Sequence, residues 1–142
     1  MARKLIIYAD GGSRGNPGQA AYGALVCEGE TVLIEIAEKI GIATNNVAEY
    51  QGLIAGLRAA NKIDPAAHIE ARLDSKLVVE QMSGRWKIKN IPLAKLAMEA
   101  KKIHSPQLIT FTWIPREENH AADRLVNLAL DGYYALASRA NS

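Results

Sequence analysis

The sequence predicts a mixed α/β fold: a five-stranded sheet, an antiparallel meander followed by parallel strands, flanked by helices. Three observations predict it. Short apolar, β-branched runs alternate with segments whose apolar residues recur at helical spacing. The first three runs are joined by turns, as in a meander, whereas the later ones are separated by helical stretches. Two predicted strands end in acids, Asp10 and Asp74. In such sheets ligands bind off the carboxyl ends of parallel strands.

The chain has 142 residues, 49% of them hydrophobic and 23% charged, which suits one globular domain spanning residues 1–142 with a substantial core. No apolar run approaches the roughly 20 residues of a membrane span, so no membrane partner is expected. Leu5–Tyr8 runs straight into Asp10, which leaves no room for a signal-peptide core. A single cysteine, Cys27, excludes an internal disulfide and fits a cytoplasmic location. A net charge of +2 places any nucleic-acid-binding surface in a local patch rather than in the global balance.

Lys4 to Asp10 reads as a central strand, with Leu5, Ile7 and Ala9 on one face and Ile6, Tyr8 and Asp10 on the other. Gly11-Gly12-Ser13-Arg14-Gly15-Asn16-Pro17-Gly18 reads as a turn-rich loop that leaves Asp10 at a strand tip. Ala20–Cys27 and Thr31–Lys39 are strands joined by a turn at Glu28-Gly29-Glu30. A helix opens at Thr44-Asn45-Asn46, with Asn46 as N-cap and Glu49 three residues on, and runs to about Asn61. Asp64-Pro65 breaks it. Ile69–Asp74 is a strand and Ser75 to about Met82 a helix. Arg85-Trp86-Lys87-Ile88-Lys89 is a basic loop around a tryptophan. Pro92 suits a first helical position, and that helix runs to about His104. Leu108–Ile114 is the last strand. Asn119 caps a helix from about His120 to Ala140, and residues 139–142 read as a frayed end or cut linker.

Four acids stand out: Asp10, Glu49, Asp74 and Asp123. Each has an ordinary structural explanation: a turn, a capping box, a helix N-cap, and a first helical turn favoured by the macrodipole. Glu49 resists its explanation. It shares a face with Leu53 and Gly56, at the spacing that turns toward the sheet. A buried carboxylate without a partner is costly. Clustering it with other acids is tolerable if a divalent cation such as Mg²⁺ or Mn²⁺ sits among them, since hard cations take carboxylate oxygens. Acids drawn from different elements are what a two-metal phosphodiester hydrolase needs. The scattered His68, His104 and His120 give no zinc pattern, and the Gly11–Asn16 segment lacks the lysine of a phosphate-binding loop.

Asp10-Gly11-Gly12-Ser13 with Gly15-Asn16-Pro17-Gly18, then Thr44–Glu49, then Asp74-Ser75, then Asn119 with Asp123, resemble the motifs of type 1 ribonuclease H in order and spacing, from Leu5 to about Leu130. The resemblance implies the ribonuclease H-like fold and endonucleolytic hydrolysis of the RNA strand of RNA/DNA hybrids. It implies that Asp10, Glu49, Asp74 and Asp123 hold the metals, two Mg²⁺ or Mn²⁺ ions with substrate bound. Residues matching Ser13, Asn16 and Asn46 contact RNA 2′-hydroxyls in the family, and the one matching Thr44 holds a phosphate of the DNA strand. Arg116 stands where some members carry an arginine in place of a histidine, and is expected to bind a phosphate. Larger members grip the DNA strand with a basic protrusion; here Arg85, Trp86, Lys87 and Lys89 are the expected remnant. The Asn45–Tyr50 and Gln81–Lys87 segments also resemble the N-terminal domain of actinobacterial two-domain proteins, whose second half is acid phosphatase-like. That implies a covalently linked C-terminal domain in a longer protein. The alternative function is a non-catalytic module binding RNA/DNA hybrids or double-stranded RNA, because fold does not fix function. An integrase-like enzyme cutting DNA is a third reading, which Asn16 and Asn46 disfavour.

Overall fold

A computed structural model of the chain describes residues 3–132. The elements run β1 (Lys4–Gly15), β2 (Gly18–Glu28), β3 (Thr31–Ala43), α1 (Asn45–Ile63), β4 (His68–Leu73), α2 (Lys76–Met82), α3 (Ile91–Lys101), β5 (Ile109–Trp113) and α4 (His120–Leu130). The five strands form one sheet in the order β3-β2-β1-β4-β5. β1 pairs antiparallel with β2 and parallel with β4, and β4 pairs parallel with β5. The expected mixed sheet is thus present, with the first strand beside the one that leads to Asp74.

The sheet has a different core on each side. On one side Leu5, Ile7 and Ala9 of β1 pack against Tyr50, Leu53, Ile54 and Leu57 of α1, with α2 and α3 completing the layer. On the other side Leu125, Val126 and Ala129 of α4 pack against Leu25 and Cys27 of β2. β1 and β2 therefore bury residues on both faces, as their near-continuous apolar runs require. No described helix is long and apolar enough to cross a membrane.

Several boundaries differ from expectation. β1 does not stop at Asp10. It continues to Gly15, paired with β2 from Ile6↔Cys27 through Gly15↔Gly18. Gly11 serves close approach rather than a turn, whereas Gly15, with φ +93°, leads into the Asn16-Pro17 turn. A Cβ on Gly11 would lie 2.2 Å from the Ala48 carbonyl carbon, so α1 rests directly on the β1 backbone there. A Cβ on Gly23 would lie 2.6 Å from the Ala122 carbonyl oxygen, so α4 rests on β2 in the same way.

The N-cap of α1 is Thr44, not Asn46: its Oγ1 accepts from the Val47 amide at 3.2 Å. Glu49 accordingly lies beyond the capping position. β3 runs past Lys39 to Ala43, with register shifts opposite Ala20/Ala21 and Val26/Cys27. α1 extends to Ile63. α3 ends at Lys101, short of His104, and begins at Ile91 with Asn90 as its cap, which makes Pro92 its second residue. Asn119 precedes α4 but makes no side-chain capping bond. The helix is described to Leu130; its expected extension to Ala140 and the end at 139–142 lie outside the described residues.

Candidate active site

β1 and β4 run parallel only as far as Ala9↔Leu73, after which the two strands part. Asp10 and Asp74 are the residues that follow that last pair, so both carboxylates sit at the mouth of the split. Glu49 reaches the same place from the first turns of α1, because the helix is seated on Gly11. Asp10, Glu49 and Asp74 each offer an oxygen, and these oxygens lie within 4.8 Å of one another. Three of the four expected acids are thus brought together. Asp123 lies one turn into α4 and outside this trio, yet near enough that its charge raises the pKa of both Asp10 and Asp74.

The electrostatics are those of like charges held in a dry place. Burial first, then the charge of Asp74, pushes the Asp10 carboxyl up to about 7; the Gly11 amide, donating to its Oδ1 at 2.9 Å, acts in the opposite sense. Burial first, then Asp10 and Asp74, holds Glu49 well above the usual carboxylate range. Asp74 is raised by burial, against the pull of an Asn119 hydrogen bond and of Arg116. Arg116, in a 3₁₀ turn at Arg116–Glu118, is exposed and lowers the pKa of all three acids. Its positive charge therefore reaches the cluster. His120 is exposed at the start of α4.

Three carboxylates within 4.8 Å of one another keep raised pKa values despite the charge of Arg116. An all-oxygen donor set of this kind suits hard divalent cations, whereas zinc sites more often include nitrogen or sulfur. The donor chemistry identifies the class of ion, not the particular metal.

Asn119, placed with Asp123 among the family-like motifs and expected as a helix cap, instead bonds into the acidic site. It is 1% exposed, and its Nδ2 donates to the Ala9 carbonyl at 2.9 Å and to Asp74 Oδ2 at 3.3 Å. It therefore ties β1 to Asp74 across the split. Trp113 Nε1 adds a second tie, donating to the Asp74 carbonyl at 3.2 Å.

The expected substrate-contacting residues fall in two groups. Ser13, Asn16, Thr44 and Asn46 gather where the β1/β2 hairpin meets the start of α1. The Ser13 amide and hydroxyl both donate to Asn45 Oδ1, at 2.9 and 3.0 Å, and the Asn45 amide donates to Asn16 Oδ1 at 3.1 Å. Asn46 is exposed beside them. The second group lies on the segment between α2 and α3. There Trp86 is 45% exposed rather than core, and Lys87 and Lys89 are exposed. Arg85 differs from its neighbours: its guanidinium is held by both oxygens of Glu80, at 2.6 and 3.1 Å.

The family described as "Reverse transcriptase-like" matches residues 8–129. The bifunctional protein Rv2228c of Mycobacterium tuberculosis is 55% identical over 131 residues, covering 90% of this chain and 36% of the relative. The chain thus spans about a third of the length of that relative. The solved N-terminal RNase H domain of Rv2228c, a fusion with maltose-binding protein, superposes with a TM-score of 0.87 at 52% identity, covering 96% of this chain and 99% of that one. Ribonuclease HI of Halobacterium salinarum is 41% identical over 135 residues, covering 90% of this chain and 65% of the relative. LC11-RNase H1, solved in complex with an RNA/DNA hybrid, superposes with a TM-score of 0.80 at 40% identity, covering 89% of this chain and 96% of that one. With the family match spanning the sheet and all four acids, and with relatives of this similarity, the chain belongs to the type 1 ribonuclease H family.

Proposed function

We propose that this domain is a metal-dependent endonuclease that hydrolyses the RNA strand of RNA/DNA hybrids. The observation that carries the reading is the convergence of Asp10, Glu49 and Asp74 within 4.8 Å at the strand split, with Asp123 close behind. Asp10, Glu49 and Asp74, with Asp123 from α4, would hold the divalent ions, Mg²⁺ or Mn²⁺. Metal held there would lower the pKa of a bound water and offset charge at the leaving oxygen.

The remaining roles belong to the chain's own groups. Asn119 and Trp113 hold Asp74 in place. Arg116 binds a phosphate oxygen beside the acids through its planar fork. Ser13, Asn16 and Asn46 contact ribose hydroxyls, and Thr44 a phosphate of the DNA strand. Trp86, Lys87 and Lys89 extend the contact along the DNA strand. Arg85 contributes less than its neighbours, since Glu80 already occupies its guanidinium. In the full-length protein a linked C-terminal acid phosphatase-like domain accompanies this one, a reading supported by the greater length and bifunctional description of the mycobacterial relative. The setting is the cytoplasm, consistent with the lone buried Cys27.

The test is incubation of a labelled RNA/DNA hybrid with the protein and Mg²⁺ or Mn²⁺, beside Asp10→Asn and Arg116→Ala. Wild type should yield RNA fragments with 5′-phosphate and 3′-hydroxyl ends. Asp10→Asn should lose at least about 100-fold in rate, and Arg116→Ala about tenfold, the loss of one strong charged hydrogen bond. Tight hybrid binding with no metal-dependent turnover by wild type would replace the enzyme with a binding module.

A further inference from the structure

β3 is the longest described strand, at 13 residues, and lies at one end of the sheet. Among the described residues nothing pairs with its outer edge. An unpaired edge is a row of backbone donors and acceptors, a template for another strand. Two large apolar side chains stand out on this one: Val32 is 47% exposed and Ile42 67%. They lie five residues before and five after Ala37. Glu35 and Lys39 lie two before and two after the same residue.

The pairing with β2 fixes the faces. Glu35 stands opposite Leu25, Ala37 opposite Gly23 and Lys39 opposite Ala21. Ala21, Leu25 and Ala37 belong to the core beneath α4. Side chains alternate along a strand and paired residues share a face, so Glu35 and Lys39 flank Ala37 on the α4 side. Leu33 and Ile40 are the extra residues where the register shifts. Laid antiparallel on a second copy, about a twofold axis at Ala37, Glu35 of each copy faces Lys39 of the other, and Val32 faces Ile42. One bulge from each copy falls at either end, so the register is kept. Opposite charges directly across two strands attract, and like charges repel. An axis at Glu35 or at Lys39 would set like charges face to face. The charges therefore select the axis at Ala37.

We propose that the outer edge of β3 is a self-association surface, on which a second copy of this chain adds its own β3 antiparallel about Ala37 to join the two five-stranded sheets into one. The contact is the same patch on both copies, so each favourable pair occurs twice. One strand pairing buries less than a standard interface, so the dimer is weak and forms as concentration rises. The acids lie beyond β2, at the split between β1 and β4, away from this edge. Association needs neither substrate nor metal.

The experiment is sedimentation velocity over a concentration series, with the wild-type chain, Glu35→Lys, Lys39→Glu and the double exchange. Wild type should pass from monomer to dimer. Each single variant brings like charges together twice and should weaken association about tenfold. An equimolar mixture of the two single variants should dimerise again, because every pair across the axis is then of opposite sign. The double exchange should recover for the same reason. Val32→Ser with Ile42→Ser should weaken association without changing the net charge. Each variant should keep the wild-type urea midpoint at the lowest concentration, which separates lost association from lost fold. Carbodiimide coupling reads the register. Within one chain Glu35 and Lys39 are about 13 Å apart along the strand, too far for a zero-length link. A Glu35–Lys39 link between light and heavy isotope-labelled copies is therefore expected in mass spectra. Wild type that stays monomeric up to about 1 mM overturns the inference. So does a mixture that associates no better than either single variant. Links that join Lys39 to another segment of its own chain instead give the edge to that segment, and overturn it too.

Discussion

Asp10 illustrates how a single side chain couples the site to stability. Its carboxyl ionises near 7 in the folded chain and near 4 when unfolded, so the metal-free folded state binds the extra proton between those values. Stability falls with rising pH wherever the folded state holds more protons. Metal-free protein should therefore lose stability as pH rises from about 4 to about 7, by about 3 kcal/mol. Glu49 acts in the same direction. Denaturant melts in chelator at pH 5 and pH 8 measure this, and Asp10→Asn should flatten the dependence. Added Mg²⁺ or Mn²⁺ should oppose the loss, since occupancy requires the ionised form. At this scale the acids were legible because an acid inside an apolar pattern is conspicuous by its cost. The tethering role of Asn119 was not: its acceptor Ala9 lies 110 residues away, and nothing local separates a buried tether from a helix cap.

Elements decide whether those residues meet. α1 brings Glu49 to Asp10 because Gly11 lets the helix axis come down onto the strand. Gly11→Ala places a methyl against backbone, which cannot swing aside as a side chain would. It should destabilise the fold by about 3 kcal/mol, read as a lower midpoint in urea, with loss of cleavage even where the protein remains folded. The same glycine explains why the end of β1 was misplaced. Gly11-Gly12 reads locally as a break, whereas the β2 ladder continues through both residues. Pairing with a distant strand outweighs weak local preference. Thr44 displaced Asn46 as helix cap by a related ambiguity, since three adjacent residues of Thr44-Asn45-Asn46 are all good caps and only the fold selects among them.

Across the whole molecule, the basic connection between α2 and α3 lies on a different segment from the acids. The acids lie at the split of the sheet, while the exposed Trp86, Lys87 and Lys89 lie on the connection between α2 and α3. The net charge of +2 is too small to attract nucleic acid by itself, so local cations must supply the salt-dependent part of affinity. Lys87→Ala with Lys89→Ala should weaken hybrid binding and reduce the slope of log affinity against log salt by about 1–2, measured by titration at several salt concentrations. The order of strands and helices was legible because each period change in the sequence marks an element. The pairing of Arg85 with Glu80 was not, because nothing in the sequence sets Arg85 apart from the other basic residues of its loop. The two glycine seats carry a practical consequence for stabilising this domain. Strand glycines are ordinarily early choices for replacement, since a side chain restores strand preference. At Gly23 the added methyl would meet the backbone of α4 2.6 Å away and lift the helix that carries Asp123. A variant library chosen by heat resistance alone would thus be steered toward a position where hardening the strand moves the fourth acid, and activity has to be screened in the same round.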